Sequence, residues 1–236
     1  MRHPRIPAPL LLLAALLTAT AAGAHPREEL FTKVFPLGKC NGFSNVGEND
    51  YMVIDPGHVL RLEGDDDGEH VELVITVLDQ IEVVAGVATR VVEERESKDG
   101  ELVEVSRNFL ARCNANDNIF YFGEDVDIYE DGVIVSHDGA WRVGSNGAKA
   151  GVLMPGQIFL GSGYYQEVAP GVAEDRARIL SRSDTFVTPA GTFHNVLVTD
   201  EDSALSPGHV EKKRYARGTG LIQDSVLLLV DFHPAP

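Results

Sequence analysis

Along most of the chain, apolar and polar residues alternate with a period of two. Val71, Leu73, Ile75 and Val77 fall on one side of an extended backbone, and Glu72, Val74, Thr76 and Leu78 fall on the other. The run Val87 to Glu96 leads to Lys98-Asp99-Gly100. Glu101 to Cys113 leads away, with Val103, Val105, Phe109 and Ala111 on one face. Ile119 to Tyr129 reaches a further Asp131-Gly132, and Val133 to Ser136 returns. The Asp-Gly pairs at 67–68, 99–100, 131–132 and 138–139 mark tight hairpins, because glycine accepts the positive φ that such turns demand. Residues 53 to 136 therefore read as an antiparallel meander.

Residues 139–172 break this rhythm with many glycines and with Trp141, Met154, Phe159, Tyr164 and Tyr165. Long glycine-rich connections inside a domain often carry function. Alternation resumes from Ala177 to Val187, turns at Pro189-Ala190-Gly191 and returns through Thr192 to Thr199. Val210 to Ala216 and Leu221 to Asp231 complete the set. Helix signals are confined to Arg27–Val34, which predicts one short helical turn. The expectation is an all-β fold with little helix: an antiparallel meander forming a curved sheet or open half-barrel. It is one domain over 25–236, divided at most into two hairpin-rich halves joined by 139–172.

The amino-terminal residues change where this domain is expected to work. Arg2 and Arg5 precede the apolar run Leu10–Leu17, and Ala22-Gly23-Ala24 has the small-x-small form of a cleavage site. This order predicts a secretory signal peptide over 1–24, cut near Ala24-His25. The apolar run is shorter than the roughly 20 residues a membrane span needs. The expected product is secreted or periplasmic, without stable membrane insertion. In an oxidising compartment Cys40 and Cys113 are expected to form a disulfide. The formal net charge of −16 opposes binding to nucleic acid and anionic membranes and favours cations and basic partners.

Two stretches carry a resemblance. Thr188-Pro189-Ala190-Gly191-Thr192-Phe193 opens a strand pair, and Glu211-Lys212-Lys213-Arg214-Tyr215-Ala216 is followed by Gly218-Thr219-Gly220-Leu221. With 119–147 and 164–178, they resemble secreted bacterial β-rich proteins of uncharacterised function. The last fifty residues are distantly similar to half-barrel periplasmic proteins related to lipoprotein carriers. That similarity implies a curved sheet holding an acyl chain on its concave face.

The candidate chemistry is sparse. Trp141, Met154, Tyr164, Tyr165, Gln166 and Glu167 combine aromatic area with a few polar groups, as ligand pockets do. Packing in an ordinary core would use the same residues. His25, as a new amino terminus, would offer amine and imidazole to copper, with His58, His70, His137, His194, His209 or His233 as a second ligand. Acidic turns, with Asp125 and Asp127 on one strand face, offer hard oxygen ligands to calcium, although no twelve-residue calcium loop can be written. Solvated hairpin ends explain the same acidic residues.

Gly161-Ser162-Gly163 lacks the spacing of a nucleophile elbow. Glu167 and Asp175 could serve as an acid/base pair, as any two carboxylates could. Lys212, Lys213, Arg214 and Arg217 form the one basic run, and alternation on a strand would split it between faces. The resulting expectation is a non-enzymatic binding protein for a small apolar or amphipathic ligand held between the sheet and residues 139–172, with no required cofactor. A copper- or calcium-binding protein and an envelope hydrolase are the alternatives.

Overall fold

A computed structural model describes residues 31–236. Strand makes up 67% of it and helix 2%. Four short strands come first: β1 (Phe31–Thr32), β2 (Phe43–Ser44), β3 (Glu48–Asn49) and β4 (Met52–Val53). The meander follows as β5 (Val59–Asp66), β6 (Glu69–Val84), β7 (Val87–Lys98), β8 (Glu101–Cys113), β9 (Ile119–Glu130) and β10 (Val133–Ser136). Each of these strands pairs antiparallel with the next.

The hairpin reading holds at Asp67-Gly68, Asp99-Gly100 and Asp131-Gly132, where both residues have positive φ, as a two-residue turn matched to strand twist requires. Ala85-Gly86 makes the same turn without the side chain that signals it (φ 50° and 81°). At 138–139 only the glycine has positive φ, and the turn lies in the connection after β10.

Residues 139–172 are less irregular than their glycine content suggests. They contain β11 (Trp141–Arg142), β12 (Lys149–Met154), β13 (Gly163–Tyr165) and β14 (Glu167–Val168), all joined to the main sheet. The last third is β15 (Asp175–Thr188), β16 (Gly191–Ser203), β17 (Ser206–Ala216), β18 (Gly220–Asp224) and β19 (Leu227–His233).

Phe31 and Thr32 are not helical. They pair in parallel with Gly163 and Tyr164, which makes the sheet mixed. Tertiary contact overrides local preference here: the Phe31 ring meets Tyr165 edge-on at 6.3 Å and lies beneath the guanidinium groups of Arg176 and Arg178.

The sheet curls until its ends approach. β19 pairs back onto β5, with Leu229 opposite Leu62. On the other side β12 pairs with β9 and with β14, while β13 pairs with β15. Between β13 and β14 stands Gln166, where the chain exchanges one partner strand for another. The ladder is interrupted at this seam, so the sheet surrounds an interior without closing. Gly151 permits the seam, since a Cβ there would lie 2.3 Å from the Gln166 carbonyl oxygen.

Two apolar clusters fill the fold. The larger contains Ile54, Val77, Val92, Phe109, Leu110, Phe120, Phe122, Met154, Leu197 and Tyr215; the smaller contains Leu60, Leu62, Leu73, Val196, Val198, Ile222 and Leu229. β16 serves both, with Val196 and Val198 on one face and Leu197 on the other. Cys40 and Cys113 are disulfide-bonded across 73 residues, and both are buried. In the chain-entropy view such a loop closure is worth about 4 kcal/mol. Among the described residues no helix is long and apolar enough to cross a membrane.

Candidate functional site

Inward positions of a curled sheet should be apolar, and most are. One stretch of the inner wall departs from this rule. On β16 the inward series Leu197, Thr199, Glu201 turns polar, and β17 carries Lys213 and Tyr215 toward the same interior. β18 adds Asp224 directly opposite Lys213. Alternation thus splits the basic run as the sequence implied: Lys212 turns out to bond Asp200 at 2.6 Å, and Lys213 turns in.

Glu201 is the hub of this group. It accepts hydrogen bonds from Thr199 (2.9 Å), Tyr215 (3.0 Å) and Gln166 (3.2 Å). The Lys213 ammonium lies 3.7 Å from it and 3.1 Å from Asp224. Burial works to lower the Lys213 pKa, but Asp224 and Glu201 outweigh it and hold the ammonium charged, well above the usual lysine range. Burial and the charge on Glu201 push the Tyr215 hydroxyl up, so it remains a donor.

Facing this group, β7 to β9 carry an inner row of carboxylates. Glu94 accepts a hydrogen bond from Asn108 at 3.2 Å, and Asn108 accepts one from Tyr121. Burial pushes Glu94 up to about 7, with Asp224, Glu104 and Glu96 adding to the rise and Lys213 opposing it. Burial and Glu94 together push Glu124 up to about 8. Burial and Glu96 raise Glu104. Crowded like charges in a poorly solvated place favour the neutral acid.

Between the two groups lies a cavity of about 110 Å³. Its apolar wall includes Leu60, Ile75, Val77, Val92 and Leu221; its polar wall is Glu94, Glu201, Lys213, Asp224, Gln166 and His58. His58 is buried, and its Nε2 lies 2.8 Å from the Thr219 carbonyl oxygen. A carbonyl only accepts, so Nε2 carries a proton, and in that tautomer Nδ1 is an acceptor. That Nδ1 has no protein partner.

Gln166, Glu201 and Lys213 also form the floor of an outer cleft of about 190 Å³, whose rim carries Asp175, Asp202, Ser203, Ser206, His209 and Glu211. The three side chains therefore partition an acidic outer cleft from the inner cavity.

The structure distributes the expected ligand-binding residues over several places. Met154 and Gln166 line the cavity. The Tyr164 hydroxyl is buried without a partner, and burial and the Glu201 charge raise its pKa. Tyr165 packs against Phe31, with the Lys33 ammonium 4.6 Å from its ring centre. Glu167 is buried and accepts the backbone N–H of Asp175 at 2.8 Å; burial and Asp175 lift it well above the carboxylate range. Trp141 stacks edge-on against Tyr121 at 5.2 Å and walls a separate surface cleft with Arg142, Ala169 and Val172.

Asp125 and Asp127 share the outer face of β9 but are taken by arginines: Asp125 bonds Arg142 at 2.9 Å and Asp127 bonds Arg107 at 3.0 Å. Among the described residues no three His, Cys, Asp or Glu side chains gather as a metal site would require. His25 lies outside the described residues.

Glu94, Glu201, Asp224 and Tyr215 were missed as site residues. Their signal was a charged or hydroxyl side chain at an inward position of an otherwise apolar alternation. No protein-family model, curated protein or solved structure matches the chain. Its class is therefore defined by its own geometry: an all-β protein with a polar-walled interior cavity.

Proposed function

We propose that the chain is a secreted or periplasmic, non-enzymatic binding protein for a small amphipathic ligand, held in the interior cavity. The observation that supports this most directly is the two-sided wall: aliphatic side chains on one side, and the Lys213–Glu201–Asp224 group with Glu94 and His58 on the other. Such a site orients a molecule with one apolar and one polar end. The volume argues for a compact ligand, because an engineered apolar cavity of about 150 Å³ holds benzene. A long acyl chain exceeds this space, so the ligand proposed is small and not a lipid chain. Gln166 supports the reading from the entrance side, because it faces both the cleft and the cavity and stands where the ladder is interrupted. The leader-like residues 1–24 and the disulfide support the envelope setting.

The test is native mass spectrometry of gently purified protein beside a Val92→Phe variant that fills the cavity. The expected result is a small-molecule adduct on the parent chain and its loss in the variant. An adduct retained unchanged by the variant would place the ligand elsewhere and sink the reading.

A further inference from the structure

The polar wall also indicates the charge of the ligand, given that the cavity is a binding site as proposed above. Three carboxylates line it, from Glu94, Glu201 and Asp224, against one ammonium, Lys213. Lys213 is already committed to Asp224 and Glu201, and Glu201 is satisfied by Thr199, Tyr215 and Gln166. Two acceptors are left over: Glu94, whose protein donor is Asn108, and His58 Nδ1, which is buried and has none. A site with surplus acceptors and surplus negative charge calls for a ligand that donates hydrogen bonds and carries positive charge. The outer cleft has the same sign, with Asp175 and Glu211 on its rim beside Asp202, which Arg176 already pairs, and would concentrate cations at the entrance.

We propose that the cavity takes a small primary ammonium with a short apolar body, whose N–H groups meet Glu94 and His58 and whose carbon chain lies against Leu60, Val77, Val92 and Leu221. Binding is then linked to protons. Glu94 faces Glu96 on its own strand, Glu104 and Asn108 on β8, Glu124 on β9, Lys213 on β17 and Asp224 on β18, with His58, Glu201 and Tyr215 on the cavity wall beyond. Among these neighbours it holds a proton until about pH 7. The incoming ammonium favours the carboxylate, so below that pH one proton leaves Glu94 for each cation bound. No covalent bond changes.

Isothermal titration with n-butylammonium, n-butanol and butyrate, at pH 6 and pH 8, tests this on the purified chain. Five or six heavy atoms limit the affinity to roughly micromolar at best. Butylammonium is expected to bind at least tenfold tighter than butanol at pH 8, and butyrate weakest. Its affinity is expected to rise about tenfold from pH 6 to pH 8, following the ionised fraction of a group that titrates near 7. Glu94→Gln, which keeps the shape, is expected to erase the preference for butylammonium over butanol.

Butanol or butyrate binding as well as butylammonium would overturn the cation assignment and leave the cavity reading standing. Butylammonium preference that persists in Glu94→Gln would overturn the role of Glu94. Failure of all three probes, with no change in Tm, would remove the cavity reading itself.

Discussion

Lys213 and Asp224 stand directly opposite each other on adjacent strands, ammonium to carboxylate at 3.1 Å, inside the curl of the sheet. A largely buried pair of this kind, its two side chains 24% and 20% exposed, contributes little net stability when intact, but breaking it leaves a poorly compensated charge. Lys213→Met is therefore expected to destabilise the protein by about 2–3 kcal/mol in urea denaturation, less than for a fully buried pair because solvent partly screens the charges, since it strands Asp224 and Glu201 together. Adding Asp224→Asn should restore part of that loss. Equal costs for the single and double variants would show that the two side chains do not act as a pair.

Glu94 sets a pH dependence of stability. Its pKa is about 7 in the fold against an ordinary 4.5, so the folded state holds a proton that the unfolded chain releases between these values. Stability contributed by this group is full below about pH 4.5 and declines as the pH rises toward 7. Glu94→Gln removes the decline. Relative to wild type, the variant is expected to gain up to about 3 kcal/mol between pH 4.5 and pH 8, with little difference at the acid end. Parallel stability profiles for the two proteins would count against the assignment.

The seam depends on Gly151. An added methyl would meet the Gln166 carbonyl at 2.3 Å and the Tyr165 carbonyl at 2.5 Å, both of them backbone atoms. Gly151→Ala is expected to cost about 3 kcal/mol or more, at the upper end for overpacking, because backbone must move. Hydrogen exchange should show the loss first in β12 and β14. Substitution of Gly38, which has open space around its added Cβ and no positive φ, meets no such clash and serves as the control.

Reduction of the Cys40–Cys113 bond should lower stability by about 2–5 kcal/mol, the usual range for a native disulfide. Melting with and without reductant measures it, and Cys40→Ala with Cys113→Ala should reproduce the reduced protein. A larger drop for the double variant would report lost packing, since both positions are buried.

Millimolar calcium is expected to leave the melting temperature unmoved, because Asp125 and Asp127 are occupied by Arg142 and Arg107. A calcium-dependent rise that Asp127→Asn abolishes would reinstate the acidic turns as a site.

The sequence carried the strands because alternation and Asp-Gly turns are local. Asp67-Gly68 and Asp99-Gly100 declare their hairpins within two residues, and the runs on either side keep their faces. It carried less of the seam. Nothing near Gln166 announces that β13 and β14 answer to different partners, and Gly151 lies fifteen positions away. Phe31 and Thr32 read as helix because their partner strand is remote in the chain.

The site was only partly legible for the same reason. Aromatic residues in 139–172 drew attention as a local cluster, whereas the cavity gathers Glu94, Glu201, Lys213 and Asp224 from four separate strands. Each looks like an ordinary surface charge until the curl turns it inward. Lys213 was the nearest to being read, since alternation alone separates it from Lys212 and Arg214.

β16 has no solvent face between Val196 and Thr199, and this has a consequence for how the chain finds its fold. Val198 answers to the smaller apolar cluster and Thr199 to the polar interior. A slip of one residue would exchange their surroundings, taking Glu201 away from Tyr215, Gln166 and Lys213 and delivering Val198 to a lysine. The mispaired sheet would be penalised on both sides at once. The charged interior thus works as a checksum on strand register, whatever else it does.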